Sequence, residues 1–134
     1  MRELPIEMTS GIPMVNIKIW SRKKALYRSM LATLDTGATV TTLSKDILHL
    51  LGYDGRSKEK KRITTASGIE YVDEIIIDKI MLASFELHEV IVYAHTFPQE
   101  SFASGGVIGI NVLSQFDLSI SFKNKILQLT PVFT

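Results

Sequence analysis

The sequence contains no cysteine. Disulfide staples, thiolate metal sites and a cysteine nucleophile are therefore all excluded. Its three histidines, His49, His88 and His95, fall at no metal-ligand spacing, so they read as structural or surface residues, and no metal is expected. An excess of one charge is also missing. Fifteen Lys and Arg against fourteen Asp and Glu leave a net charge of +1, which gives no global pull towards nucleic acid or acidic membranes. No apolar run is long enough to span a bilayer. The first residues, Met1-Arg2-Glu3-Leu4-Pro5-Ile6-Glu7-Met8, lack the basic stretch and apolar run of a signal peptide. The expectation is a soluble, cytoplasmic protein, or a domain cut from a longer one whose other parts carry the address. The glycines of Gly105-Gly106-Val107-Ile108-Gly109 are not followed by Gly-Lys-Ser/Thr, so they form no phosphate loop.

What is present suits one compact domain over residues 1–134, with 46% hydrophobic and 22% charged residues. No internal repeat or linker divides it. The dominant pattern is β. Across Pro13 to Trp20, Val15, Ile17 and Ile19 alternate with Asn16 and Lys18, as a half-buried strand requires. Ser21 to Lys24 reads as a turn and Ala25 to Leu34 as the returning strand. Val40 to Leu43 reads as a short strand, with Ser44 capping a helix over Lys45 to Leu51 that Gly52 stops. Arg62–Ala66 and Ile69–Ile77 read as a hairpin meeting at Ser67-Gly68. Lys79–Ala83, Leu87–Tyr93 and Val107–Gly109 read as further strands, with a loop over Thr96 to Gly106. Asn111 reads as the cap of a brief helix through Gln115. Leu118–Phe122 and Lys125–Leu129 read as a final pair. The fold class expected is all-β, a closed barrel with one or two short helices.

The sharpest chemical feature is Leu31-Ala32-Thr33-Leu34-Asp35-Thr36-Gly37-Ala38. An apolar strand delivers a carboxylate into a tight turn. Gly37 lets the backbone turn closely, and the Thr36 hydroxyl can hydrogen-bond to a neighbouring loop. An acid at the end of a burying strand is costly unless paired, so its position calls for a purpose. Further on, Val107-Ile108-Gly109 supplies two apolar residues and a glycine leading into a short helix.

This pairing of Asp35-Thr36-Gly37 with Val107-Ile108-Gly109 resembles the retropepsin family of aspartic proteases, the retroviral-type enzymes and their cellular and bacterial relatives. The segment from Gly109 to Phe122 is similar to that family's C-terminal helix and closing strand. The resemblance implies an aspartic endopeptidase in which two carboxylates share a proton, one activating water and the other protonating the leaving amine. It makes Asp35, Thr36 and Gly37 the catalytic residues, and it implies that Ala38, Ser67 and Gly68 line the substrate cleft. Only one Asp-Thr-Gly is present, so the second aspartate would come from a second copy in a symmetric homodimer. Ile63 to Tyr71 resembles the family's flap, which closes over an extended peptide or polyprotein segment by strand addition. Retroviral flaps carry more glycine than Ala66-Ser67-Gly68, and retroviral enzymes carry acids where this chain has Thr39 and Val40.

Plainer readings stand beside these. Asp35 could end its strand in an Asx turn, and the fold could serve as a non-catalytic peptide-binding or dimerisation module. Arg56, Lys58, Lys60, Lys61 and Arg62 form a basic run that reads as a solvated loop, with nucleic-acid binding a distant option. Asp117 reads as a turn residue, and Asp46 as an acid in the first turn of its helix. Asp73, Glu74 and Asp78 read as outward positions of the flap strand and its exit. Trp20 and the phenylalanines read as core or dimer contacts. The ends, Met1 to Gly11 and Thr130 to Thr134, could build a dimer sheet, be processing sites or be loose.

Overall fold

Alternation decides the first element. Val15, Ile17 and Ile19 are buried while Asn16 and Lys18 are exposed, so one face of this strand is core and the other faces water. The computed structural model describes residues 1–9, 11–54, 60–66, 68–96 and 105–132. Among them are ten strands: β1 (Arg2–Glu7), β2 (Met14–Ser21), β3 (Leu26–Leu34), β4 (Thr42–Ser44), β5 (Lys60–Thr65), β6 (Gly68–Leu82), β7 (Phe85–His95), β8 (Gly106–Ile108), β9 (Phe116–Ser121) and β10 (Ile126–Pro131). Two short helices, α1 (Lys45–Leu50) and α2 (Ile110–Leu113), join them.

Pairing runs β2–β3–β8–β4–β7–β6, and β6 returns to β2 through Ile19↔Ile80, Lys18↔Met81 and Ile17↔Leu82. The six strands therefore close into a barrel, as expected. Closure leaves these strands no shared open edge, and Val15, Ile17, Ile19, Leu43, Ile77, Ile80, Leu82, Val92 and Ile108 fill the interior. The segment expected as two strands is one, because β6 runs unbroken through Asp78. The β6–β7 pairing skips this residue and Glu89, whose φ is 52°, and resumes in the same register at Lys79↔His88, while the Asp78 carboxylate is bound by Arg22. The strand turns only at Ala83-Ser84, where Ala83 takes a left-handed φ of 56°.

A three-stranded sheet, β1–β10–β9, continues from β2 through the pairs Ile6↔Val15 and Glu7↔Met14. The N-terminal segment is thus an integral strand with Ile6 in the core. Asp117 lies within β9 opposite Thr130 and is not a turn residue. Phe116 stacks on Phe85, ring centroids 5.2 Å apart, which ties this sheet to the barrel. At α1, Ser44 caps as expected, its hydroxyl accepting from the Ile47 amide. Tyr53, directly after Gly52, is buried: its hydroxyl donates to the Trp20 carbonyl at 2.7 Å and accepts from the Asp78 amide at 3.3 Å. Arg22 lies over the Tyr53 ring.

Arg22 grips Asp78 at two points, Nε to Oδ2 and Nη2 to Oδ1, each at 2.9 Å. This hydrogen bonding holds the Asp78 carboxyl below its ordinary value of 3.8. A depressed carboxylate favours the folded state above its unfolded value, and the contribution disappears as pH falls through the lower folded value. Both side chains are substantially exposed, so solvent screening limits the effect. Asp78→Asn should cost less than about 1 kcal/mol near neutrality, shrink further in high salt, and cost almost nothing well below pH 3.8. Urea unfolding at neutral and strongly acid pH, at two salt concentrations, checks this.

Candidate active site

β3 carries its apolar run to Leu34 and ends at Asp35. What fixes that end is β8, which inserts between the consecutive strands β3 and β4. It lies parallel to β3 through Thr33↔Val107 and Leu34↔Ile108, and antiparallel to β4 through Thr42↔Val107. The Asp35 amide donates to the Ile108 carbonyl at 3.1 Å, continuing the ladder one residue into the loop. Asp35 then turns its carboxylate back on its own loop, where Oδ1 accepts from the Gly37 amide at 2.9 Å. A Cβ at Gly37 would stand 3.2 Å from that oxygen, so glycine keeps the space beside the acid open. The Ala38 amide closes the turn on the Asp35 carbonyl. Asp35 is half-buried, Thr36 and Gly37 are exposed and Ala38 is half-buried. The turn therefore presents its acid and hydroxyl outward rather than into the barrel.

Beneath the loop lies a buried polar knot. Gly109, directly after β8, packs so tightly that an added Cβ would lie 2.7 Å from the Val40 carbonyl carbon and 2.8 Å from the Ala38 oxygen. Its amide donates to Thr41 Oγ1 at 3.0 Å. That hydroxyl donates in turn to Asn111 Oδ1 at 2.8 Å, which also accepts from the Thr41 amide at 2.8 Å. Asn111 Nδ2 donates to the Ile91 carbonyl at 2.7 Å. The Ile110 and Asn111 amides donate to the carbonyls of Ala38 and Thr39. Asn111 is therefore not the cap of α2: the cap position is Gly109, with no side-chain hydrogen bond. The asparagine side chain is drawn to Thr41 because that buried hydroxyl needs an acceptor.

Asp35, Thr36, Gly37 and Ala38 thus sit on one loop, while Gly68 belongs to another element. It opens β6 opposite Thr65 on the β5–β6 hairpin, exposed, with φ at 129°. That backbone conformation suits glycine and strains other residues. Ser67 lies outside the described residues, as do Arg56 and Lys58. Two further members of the basic run are engaged: Lys60 Nζ is 3.0 Å from Asp73 and Lys61 Nζ 4.0 Å from Glu74. Asp73 is not outward but 2% exposed. Among the described residues no three of His, Asp and Glu come together as a metal site, and no helix is long and apolar enough to cross a membrane. Thr41 and Asn111 went unrecognised as supports of the loop. The available signal was a polar pair flanking the two sharpest motifs, one just after Ala38 and the other just after Gly109.

Residues 27–115, more than half of the chain, match the family described as "gag-polyprotein putative aspartyl protease". The chain belongs to this family, of the retropepsin-like type. Among solved structures, a retropepsin-like aspartic protease from Rickettsia conorii is similar in fold, with a TM-score of 0.68 at 18% identity, covering 95% of this chain and 87% of that one. No curated protein is significantly similar in sequence.

Thr41→Val keeps the shape of the side chain but strips both hydrogen bonds from the knot. It should destabilise the fold by about 1–3 kcal/mol, because the Gly109 amide and the Asn111 carbonyl oxygen lose a buried partner. Denaturant unfolding measures the loss, and Thr41→Ser, which keeps the hydroxyl, should recover most of it.

Proposed function

We propose that the chain is an aspartic endopeptidase whose active site forms between two identical subunits, each contributing Asp35, Thr36 and Gly37. The observation that carries this reading is the half-buried Asp35 carboxylate, held by the Gly37 amide at the end of a strand that β8 pins in place. Two such carboxylates facing each other across a two-fold axis would share one proton, because like charges at that separation cannot both ionise. The ionised member takes a proton from water as the water attacks the scissile carbonyl. The protonated member polarises that carbonyl and then gives its proton to the leaving amine. The two titrate as a unit. The aspartic-protease dyad is a general worked case of such sharing, carried here by analogy to Asp35. Thr36, exposed beside Asp35, would hydrogen-bond to the facing loop. No metal or organic cofactor enters the scheme.

The β5–β6 hairpin is read as the flap, with Ala38 below and Ser67-Gly68 above an extended peptide or polyprotein segment. The single Asp-Thr-Gly in 134 residues supports the homodimer. So does the free edge of β9, which pairs only with β10 among the described residues. Its apolar side chains outrun the core they start from: Phe116 is buried, Leu118 half-buried, Ile120 40% exposed, and Phe122, next along the chain, 61% exposed. An unpaired strand edge with an apolar overhang is a template for a partner. It begins two residues after α2, whose first amide holds the Ala38 carbonyl.

The test is cleavage of a mixed peptide library by wild type and Asp35→Asn at several protein concentrations, across about pH 4 to 7, where a shared-proton dyad works. Cleavage should vanish in Asp35→Asn while its dimer and unfolding curve stay as in wild type. Activity should fall faster than linearly on dilution. Residual cleavage by a clean Asp35→Ala preparation would refute the assignment. Peptide binding without turnover, indifferent to Asp35→Ala, would instead establish the non-catalytic peptide-binding module. For the interface, Ile120→Glu with Phe122→Glu should weaken dimerisation at least about tenfold, read by sedimentation equilibrium. An unchanged dimer would move the interface elsewhere.

A further inference from the structure

The β5–β6 hairpin leaves the barrel at one residue. Its ladder with β5 runs from Thr65↔Gly68 to Lys60↔Asp73. The ladder of β6 with β7 begins at Asp73↔Ala94 and runs to Leu82↔Phe85. Asp73 is the residue of β6 that belongs to both. From Asp73 towards Gly68, β6 is paired on one side only, and Ile69 and Tyr71 are 59% and 64% exposed. Beyond Asp73 in the other direction, β6 is a barrel strand with Ile75 and Ile77 in the core.

At this junction the chain buries a carboxylate. Lys60 Nζ lies 3.0 Å from Asp73 Oδ1 and Lys45 Nζ 3.3 Å from Oδ2. The two lysines come from different bodies: Lys60 opens the hairpin, whereas Lys45 opens α1 directly behind barrel strand β4. Each lysine side chain is about half exposed and the Asp73 side chain is 2% exposed. The burden of separation is therefore uneven. A lysine that swings away regains water, while the carboxylate it leaves stays buried with one ion-pair partner fewer. Other contacts also reach across this junction: Glu70 Oε2 lies 3.6 Å from His95 Nε2, Lys61 Nζ lies 4.0 Å from Glu74 Oε2, and Val72, next to Asp73, is buried.

We propose that Asp73, clamped between Lys45 and Lys60, is the electrostatic pivot that sets the pose of the β5–β6 hairpin relative to the barrel, and so acts as a positioning residue for substrate. Its consequence for catalysis rests on reading that hairpin as the flap. The pivot itself does not. Rotation of the hairpin about Asp73 carries Lys60 away from α1, so the carboxylate cannot keep both ammonium groups. The clamped pose is favoured and other poses become minor states.

The experiment is amide hydrogen exchange on the intact protein, which needs no proteolytic activity. Asp73→Asn should accelerate exchange across residues 60–72 by about tenfold or more while β2 and β3 exchange as in wild type. Lys45→Met and Lys60→Met should each reproduce part of that acceleration, and the arginine replacements should restore protection. Where wild type cleaves a peptide, Asp73→Asn should raise KM several-fold and leave kcat nearly unchanged. Unaltered exchange in the hairpin, or acceleration spread equally over β2 and β3, overturns the pivot. Should Asp73→Asn fail to fold, the lysine variants decide by the same criterion, since both lysines are half exposed. Hairpin-only acceleration in the variants, together with a wild type that cleaves nothing, would support the pivot and count against the protease reading alone.

Discussion

The seat of β8 between β3 and β4 is the constraint on which the rest of the site depends. Two consecutive strands are held apart by a third from much later in the chain, parallel to one and antiparallel to the other. That arrangement pairs the last two residues of β3, and the Asp35 amide extends the pairing into the loop that follows. Gly109 then lies against the backbone of Ala38, Val40 and Thr41 with no space for a side chain. The Thr41–Asn111 knot satisfies the polar groups buried by that approach. Asp35 is thus carried on a turn whose backbone is fixed on its inner side, while the residue itself stays half-buried at the outer side.

The same barrel holds its second charged element differently. Asp35 is oriented by a backbone amide within its own turn, whereas Asp73 is buried and compensated by lysines from two elements. The first arrangement leaves its residue half-buried at the surface. The second uses up its carboxylate in holding chain segments together. Two acids in one small β protein therefore have opposite relations to solvent, and burial and donor identity separate them.

Strand reading from alternation worked where one face of a strand met the core and the other met water. Val15, Ile17 and Ile19 are the clearest case, and the Ser44 cap is as legible at the helix. It failed where a polar residue sat inside a continuous strand. Asp78 looked like a break because its partner, Arg22, is remote in sequence. Asp73 looked outward because alternation carries no information about which end of a barrel is capped by lysines. Asn111 looked like a helix cap because the buried hydroxyl that claims it, Thr41, lies on another element. In each case a local rule met a long-range partner, and the partner prevailed because a buried polar group left unsatisfied is the larger cost.

By itself the sequence determined the all-β class, the position of the candidate acid at the end of an apolar strand, the family to which these motifs belong, and the need for a second copy if one Asp-Thr-Gly is to become a pair. Those follow from local pattern and from counting, which need no fold. Only the tertiary structure decided that β6 closes the barrel on β2, that Thr41 and Asn111 carry the loop, and that Asp73 joins the hairpin to the barrel. These are contacts between residues far apart in the chain. Their free energy comes from burial and hydrogen-bond satisfaction that exist only once the strands have been brought together.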